Sequence, residues 1–171
     1  MPDRIQGLVA CSDLTGYAKH AAKKSEEEIF QLLSDYYELV GDVIAPAQGK
    51  VIKFMGDAAL ILFPEEHSDI GVQALLQLQS QGDAFLAERG VACRHHIRVH
   101  FGSMCAGPLG TRDDKRVDIL GSTVNTMFML KSTGFAMTPE AFRKLAPNTR
   151  KLFKKHTPPV AYIPIEQPHR D

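Results

Sequence analysis

The sequence predicts an α+β domain with a ferredoxin-like βαββαβ core, completed by C-terminal helices and a hairpin. Segments with strand-like and helix-like apolar spacing follow one another as strand, helix, strand, strand, helix, strand. The two middle strands are separated only by the tight Met55-Gly56 turn, so they must pair antiparallel, as that topology requires. The 171 residues contain no repeat, low-complexity tract or linker, so residues 1–171 read as one domain large enough to bury a core.

The elements follow in order. Residues 5 to 12 read as the first strand. Ser25, with Glu28 three positions later, forms a capping box ahead of Ile29, Leu32, Leu33, Tyr36, Val40, Val43 and Ile44 at helical spacing, and Pro46 stops that helix. Strands at about 50 to 54 and 58 to 63 flank the turn, and a helix from Ser68 to Glu88 ends at Gly90. A long strand then covers about 94 to 106. The expected core is an antiparallel sheet with its helices on one face. Beyond it, Gly121 to Lys131 reads as a short helix, Thr138-Pro139-Glu140 opens another with Pro in its first turn, and a hairpin spans about 150 to 165.

Composition narrows the function classes. Lys plus Arg and Asp plus Glu both number 20, which removes any general attraction to nucleic acid or an anionic membrane, so an anionic ligand must be held locally. No apolar run reaches the roughly 18 to 20 residues of a membrane span, and Met1-Pro2-Asp3-Arg4 opens no signal-peptide hydrophobic region; a cytoplasmic location is the default expectation. Cys11, Cys93 and Cys105 are an odd set without metal-ligand spacing, and strand-like surroundings read all three as buried thiols.

The chemistry-bearing signal lies in two acids at strand ends. Asp13 closes the first strand in Ser12-Asp13-Leu14-Thr15-Gly16-Tyr17, and Asp57 sits in the turn of Lys53-Phe54-Met55-Gly56-Asp57. The expected topology makes the first strand and the hairpin neighbours, bringing the acids together although 44 positions separate them. Two such carboxylates repel unless a cation lies between them, and hard oxygen ligands without His or Cys favour Mg²⁺ or Mn²⁺ bridging a polyphosphate. The Leu14-Thr15-Gly16 turn, leading through Tyr17 into helical structure, would offer backbone N–H groups to phosphate oxygens. Taken singly, Asp13 also reads as a helix cap and Asp57 as a turn residue.

With these residues in place, the chain resembles the catalytic domain of the class III adenylate and guanylate cyclases. The matching segments are Ser12 to Tyr17, Gly49 to Phe63, His100-Phe101-Gly102 with Ala106 to Gly110, and Asp118 to Asn125. The resemblance implies the class III nucleotidyl cyclase fold and a homodimer that converts a nucleoside triphosphate to its 3′,5′-cyclic monophosphate and pyrophosphate. It also implies two Mg²⁺ or Mn²⁺ ions per site, held by Asp13, Asp57 and the Leu14 carbonyl, and a substrate-binding segment at Leu14, Thr15, Gly16 and Tyr17. By the same resemblance Lys53 and Asp118 read the base and Asn125 positions the ribose. A lysine donates to a ring nitrogen of adenine and a carboxylate accepts from its exocyclic amine, whereas guanine would set a carbonyl against that carboxylate, so the pair favours ATP.

Four residues after Asn125 the family carries an arginine, and this chain has Met129. Lys131 lies on another helix face and cannot replace it. The basic cluster Lys151, Lys154 and Lys155 lies near the hairpin position where the family has a triphosphate-binding lysine, and Lys155 is taken from it as a second catalytic candidate beside Asn125; a solvated surface charge is the other reading. On the strand over 94 to 106, alternation puts His96, Arg98 and His100 on one face and His95 with Ile97, Val99 and Phe101 on the other. These histidines read as structural, in a segment without carboxylate partners. Besides an ATP cyclase, the residues leave open a degenerate domain that binds nucleotide or regulates, and a cyclase for another triphosphate.

Overall fold

In chain order the elements are β1 (Asp3–Thr15), α1 (Tyr17–Ala21), α2 (Glu26–Ile44), β2 (Lys50–Met55), β3 (Ala58–Pro64), α3 (Ser68–Glu88), β4 (Arg94–Gly110), β5 (Lys115–Leu120), α4 (Ser122–Met129), β6 (Phe135–Met137), α5 (Pro139–Phe142), α6 (Pro147–Arg150), β7 (Phe153–His156) and β8 (Ala161–Pro164). They are taken from a computed structural model that describes residues 1–169. The sheet runs β2-β3-β1-β4-β6-β8-β7, with β5 attached to β4. Its first four strands pair antiparallel, as the split βαββαβ unit requires. β6 then adds parallel to β4 and carries the terminal hairpin.

Local chemistry accounts for the helix limits. The Glu28 N–H donates to Ser25 Oγ at 3.1 Å and the Ser25 N–H donates to the Glu28 carboxylate at 2.9 Å, closing the capping box at the start of α2. Three glutamates in the first turn add favourable charge beside the positive helix end. α2 gives way to a short 3₁₀ turn over Ala45–Ala47 that contains Pro46. α3 ends where Gly90 takes a left-handed φ of 68°.

β1 is buried on both sides. Leu8, Ala10 and Leu14 join the core under α2 and α3, with Ile61, Phe63, Leu75, Ile97 and Val99. Val9 and Cys11 face the other way, toward Leu60, Met104, Ile119, Val124 and Met127. α2 and α3 cover one face of the core sheet, as expected of that unit, and α4, which follows the core, packs on the opposite face, where Val124 and Met127 form its apolar stripe.

β4 outruns β1. From Cys105 onward it pairs with β5, a strand the periodicity did not mark, and this ribbon swings back across the α4 face until Asp118 meets Lys53 of β2. Cys105 lies on the ribbon and is exposed, whereas Cys11 and Cys93 are buried as expected. Among the described residues no helix is long and apolar enough to cross a membrane.

Phe63 is fully buried and receives two glycines. A Cβ on Gly71 would stand 2.7 Å from a Phe63 ring carbon, and one on Gly49 would stand 2.4 Å from another. Gly71 lies in α3, where alanine is ordinarily favoured by roughly 0.5–1 kcal/mol. Overpacking should outweigh that gain, so Gly71→Ala is expected to lose about 1–3 kcal/mol in urea unfolding. Gly41→Ala in α2, with open space at its Cβ, should instead gain about 0.5–1 kcal/mol.

Candidate active site

The ends of β1 and the β2–β3 turn bring the two acids together. Gly56 takes a φ of 63° to close the turn, and Asp57 Oδ2 accepts the Leu14 N–H at 2.9 Å. Asp57 is thereby tied to the residue that follows Asp13. Tyr37 of α2 holds the turn from behind: its hydroxyl donates to the Gly56 carbonyl and its ring stacks on Phe54 at 3.7 Å. Gly16, with φ 78°, turns β1 into α1, whose N-cap makes no side-chain hydrogen bond, so the segment Leu14 to Tyr17 presents backbone at the same corner.

Asp13 is held differently. It lies opposite His96 in the β1–β4 register, and its Oδ1 meets His96 Nδ1 at 3.2 Å. Its Oδ2 accepts from Arg98 Nη2 at 3.3 Å. Burial would raise the Asp13 pKa, but the His96 hydrogen bond and the His96 and Arg98 charges outweigh it and hold the carboxyl below its ordinary value. Arg98 Nη1 also donates to the Phe128 carbonyl at the end of α4. Among the described residues no cluster of three or more His, Cys, Asp and Glu is spaced to hold a metal. What the corner offers is two carboxylates and the Leu14 carbonyl, a hard-oxygen set that suits Mg²⁺ or Mn²⁺. The fit is open at Asp57 and contested at Asp13, whose two oxygens are already engaged.

A second group lies on the α4 face. The β2–β3 register shifts between Val51 and Lys53, so that Val51 opposes Ile61 and Lys53 opposes Leu60. That bulge gives Lys53 the side of the sheet on which Leu60 packs, instead of the side of Val51 and Phe54. Lys53 Nζ then reaches Asp118 Oδ2 at 2.7 Å, with the side chains 42% and 18% exposed. Asp118 Oδ1 accepts the Ile119 N–H at 2.8 Å, which fixes the carboxylate. The pair borders a groove of about 650 Å³ lined by Ile52, Phe54, Leu109 and Val117. Among the described residues no hydrogen bond or ion pair joins Lys53 or Asp118 to Asp13 or Asp57.

The other candidates stand apart. Asn125 is exposed on α4, whose buried side is Thr123, Val124 and Met127. Met129, the last residue of α4, is 79% exposed. Lys155 is exposed on β7 at the far edge of the sheet, with β4, β6 and β8 between it and β1.

The segment of β4 expected to lack carboxylate partners has them. Besides the two contacts to Asp13, His100 Nδ1 lies 3.9 Å from Glu140, and His95 bonds Asp83. Alternation had put His96 and Arg98 on one face, but only the register against β1 reveals that Asp13 shares it. On the helix face, the buried His95 ring links Asp83 Oδ1 at 2.8 Å to the Tyr36 hydroxyl at 2.7 Å. Asp83 Oδ1 also accepts the His95 N–H at 2.9 Å.

The family model described as "Adenylate and Guanylate cyclase catalytic domain" matches residues 8–153. An adenylate cyclase of Anabaena cylindrica is 28% identical over 121 residues, covering 66% of this chain and 24% of that protein. The chain spans about a quarter of the length of that relative and about a tenth to a fifth of others it matches. The crystal structure of the adenylyl cyclase CyaB from P. aeruginosa superposes with a TM-score of 0.82 at 15% identity, covering 98% of this chain and 97% of that one. The guanylyl cyclase Cya2 superposes at 0.75 and 20% identity, covering 94% and 91%. These likenesses show a fold common to enzymes named for either nucleotide. The chain belongs to the adenylate and guanylate cyclase catalytic domain family.

The Asp83 pair carries a pH signature. Burial acts to raise the Asp83 pKa, but the His95 hydrogen bonds hold it below the ordinary value, so its contribution is present above the unfolded carboxylate pKa of about 3.9 and is lost as pH falls through the folded value. Asp83→Asn should cost about 1–2 kcal/mol at pH 7 in urea unfolding. The difference from wild type should shrink below about pH 4.

Proposed function

We propose that this member of the cyclase family converts ATP to 3′,5′-cyclic AMP and pyrophosphate in the cytoplasm, as a head-to-tail homodimer. Each site would combine Asp13 and Asp57 of one chain with Lys53, Asp118 and Asn125 of the other. The observation that carries the reading is the Lys53–Asp118 pair, a donor beside an acceptor at 2.7 Å on the rim of an open groove. That pairing matches the ring nitrogen and exocyclic amine of adenine and opposes the carbonyl of guanine.

In the reaction the ribose 3′-oxygen forms a bond to the α-phosphorus and its proton passes to solvent, while the bond from the α-phosphorus to the β-bridging oxygen breaks and pyrophosphate leaves. Two Mg²⁺ or Mn²⁺ ions, when bound, supply Lewis-acid stabilisation of the charge on the phosphates. Asp13, Asp57 and the Leu14 carbonyl would hold them. The backbone N–H groups of Thr15, Gly16 and Tyr17 would meet phosphate oxygens, that of Leu14 being held by Asp57; Asn125 would orient the ribose, and Lys155 would approach the triphosphate.

Assembly through the α4 face is supported by the apolar side chains left exposed there: Leu109, Val117 and Leu120 on the ribbon, and Phe128 and Met129 on α4. A second reading, a degenerate domain that binds nucleotide or regulates a partner, draws on the methionine at 129 and the engaged oxygens of Asp13.

The test is purified protein with Mg²⁺ or Mn²⁺ and each of the four ribonucleoside triphosphates, products separated by chromatography. Cyclic AMP from ATP is expected, and Asp57→Ala should lower turnover on the order of a hundredfold or more. Mixing Asp57→Ala with Lys53→Ala chains should restore roughly a quarter of wild-type turnover, because half of randomly assorted dimers are mixed and each then carries one intact site. A mixture as inactive as its components would remove the shared-site dimer.

Met129→Arg restores a guanidinium at the position where the family carries one. It should raise kcat about tenfold or more with little change in KM for ATP, since the contact is made chiefly in the transition state. If Lys155 already fills that role, Met129→Arg should be neutral and Lys155→Ala should lower kcat far more. Absence of product from both wild type and Met129→Arg, with ATP binding retained in calorimetry, would favour the regulatory reading.

A further inference from the structure

Arg98 is a largely buried charged residue of β4 that the cyclase reading leaves without a task. Its side chain is 15% exposed, and its guanidinium lies between the Asp13 carboxylate and the Phe128 carbonyl. Arginine stays charged at any physiological pH, so it cannot relieve this position by losing a proton. The site is also largely shielded from water, which screens the charge less than at a surface. The carbonyl end of α4 holds the guanidinium from one side, where unpaired carbonyls and the helix dipole favour a cation. Asp13 Oδ2 holds it from the other at 3.3 Å. Arg98 Nε is buried with no hydrogen-bond partner among the described residues, so these two anchors define where the group sits.

The consequence concerns cation binding. One carboxylate and one guanidinium in contact sum to no net charge, so the attraction of Asp13 for a dication is weakened, and the dication must share its oxygen with the guanidinium. His96 occupies the other oxygen, and Asp57 is left as the acid whose charge no side-chain cation offsets among the described residues. We propose that Arg98 is an internal counter-ion of Asp13 that competes with the divalent cation for its carboxylate and so sets the metal affinity of this corner. The proposal rests on the two-carboxylate metal reading above. It makes Asp57 the standing anchor and Asp13 a ligand that becomes available only as the guanidinium is displaced. Arg98 is on this account a positioning residue.

The test is Mn²⁺ binding to the full chain without nucleotide, followed by the spin-resonance signal of the free ion. Arg98→Gln keeps a donor for the Phe128 carbonyl and removes the charge, and should bind Mn²⁺ at least about tenfold more tightly than wild type. Arg98→Met, which keeps the apolar stem beside Phe128, should tighten binding similarly, and Arg98→Lys should stay near wild type. Adding Asp13→Asn to Arg98→Gln should erase the gain. Unchanged or weaker binding in both neutral variants, with binding still weakened by Asp13→Asn and Asp57→Asn, would overturn the proposal while leaving the metal reading in place. Binding that neither Asp13→Asn nor Asp57→Asn weakens would remove the metal reading and the proposal with it.

Discussion

The register of β1 between β3 and β4 governs what the corner of Asp13 and Asp57 presents. β1 pairs with β3 over Gly7 to Ser12 and with β4 over its whole length, and both of its faces are buried. A slip of one residue would exchange Leu8, Ala10 and Leu14 for Val9 and Cys11 and turn Asp13 into the helix core. Close packing opposes that slip too, because a Cβ at the position of Gly7 in β1 would stand 2.7 Å from the Phe63 carbonyl oxygen of β3. The placement of Asp13 opposite His96 and beside Asp57 is therefore a by-product of apolar packing several residues away.

Electrostatics then differentiates two acids that look alike in sequence. Asp57 receives a main-chain N–H, which orients its carboxylate without bringing a formal charge. Asp13 receives two side chains, one of them permanently cationic. At the other group, Asp118 also receives a main-chain N–H, and Lys53 supplies the cation. That bridge is half exposed at its lysine, and pairs of this kind contribute roughly 0–1 kcal/mol to stability. Its worth lies in presenting a donor and an acceptor side by side.

Much of this was legible in the sequence where the signal is local. The capping box at Ser25, the span of α3 and the hairpin turn at Gly56 all follow from residues within a few positions of one another. The approach of Asp13 to Asp57 followed from topology, once the order of elements was read. β5 and β6 were not legible. β5 mixes Lys115, Arg116 and Asp118 with apolar residues along a projecting ribbon, and β6 has only three residues, too few to show a period. The partners of Arg98 were also hidden, because they lie 85 and 30 positions away and depend on register and helix packing.

The bulge beside Lys53 has a consequence at the border of the sheet. β2 and β7 end the main run of strands, and an open edge invites the strand of another molecule to add to it. At β2 the shifted register interrupts the regular row of donors and acceptors, and Lys53 leans over the break. At β7 the four-residue strand carries Lys154 and Lys155 in succession. Both rims are thus poor templates for strand addition, which lowers the tendency of the chain to associate edge to edge.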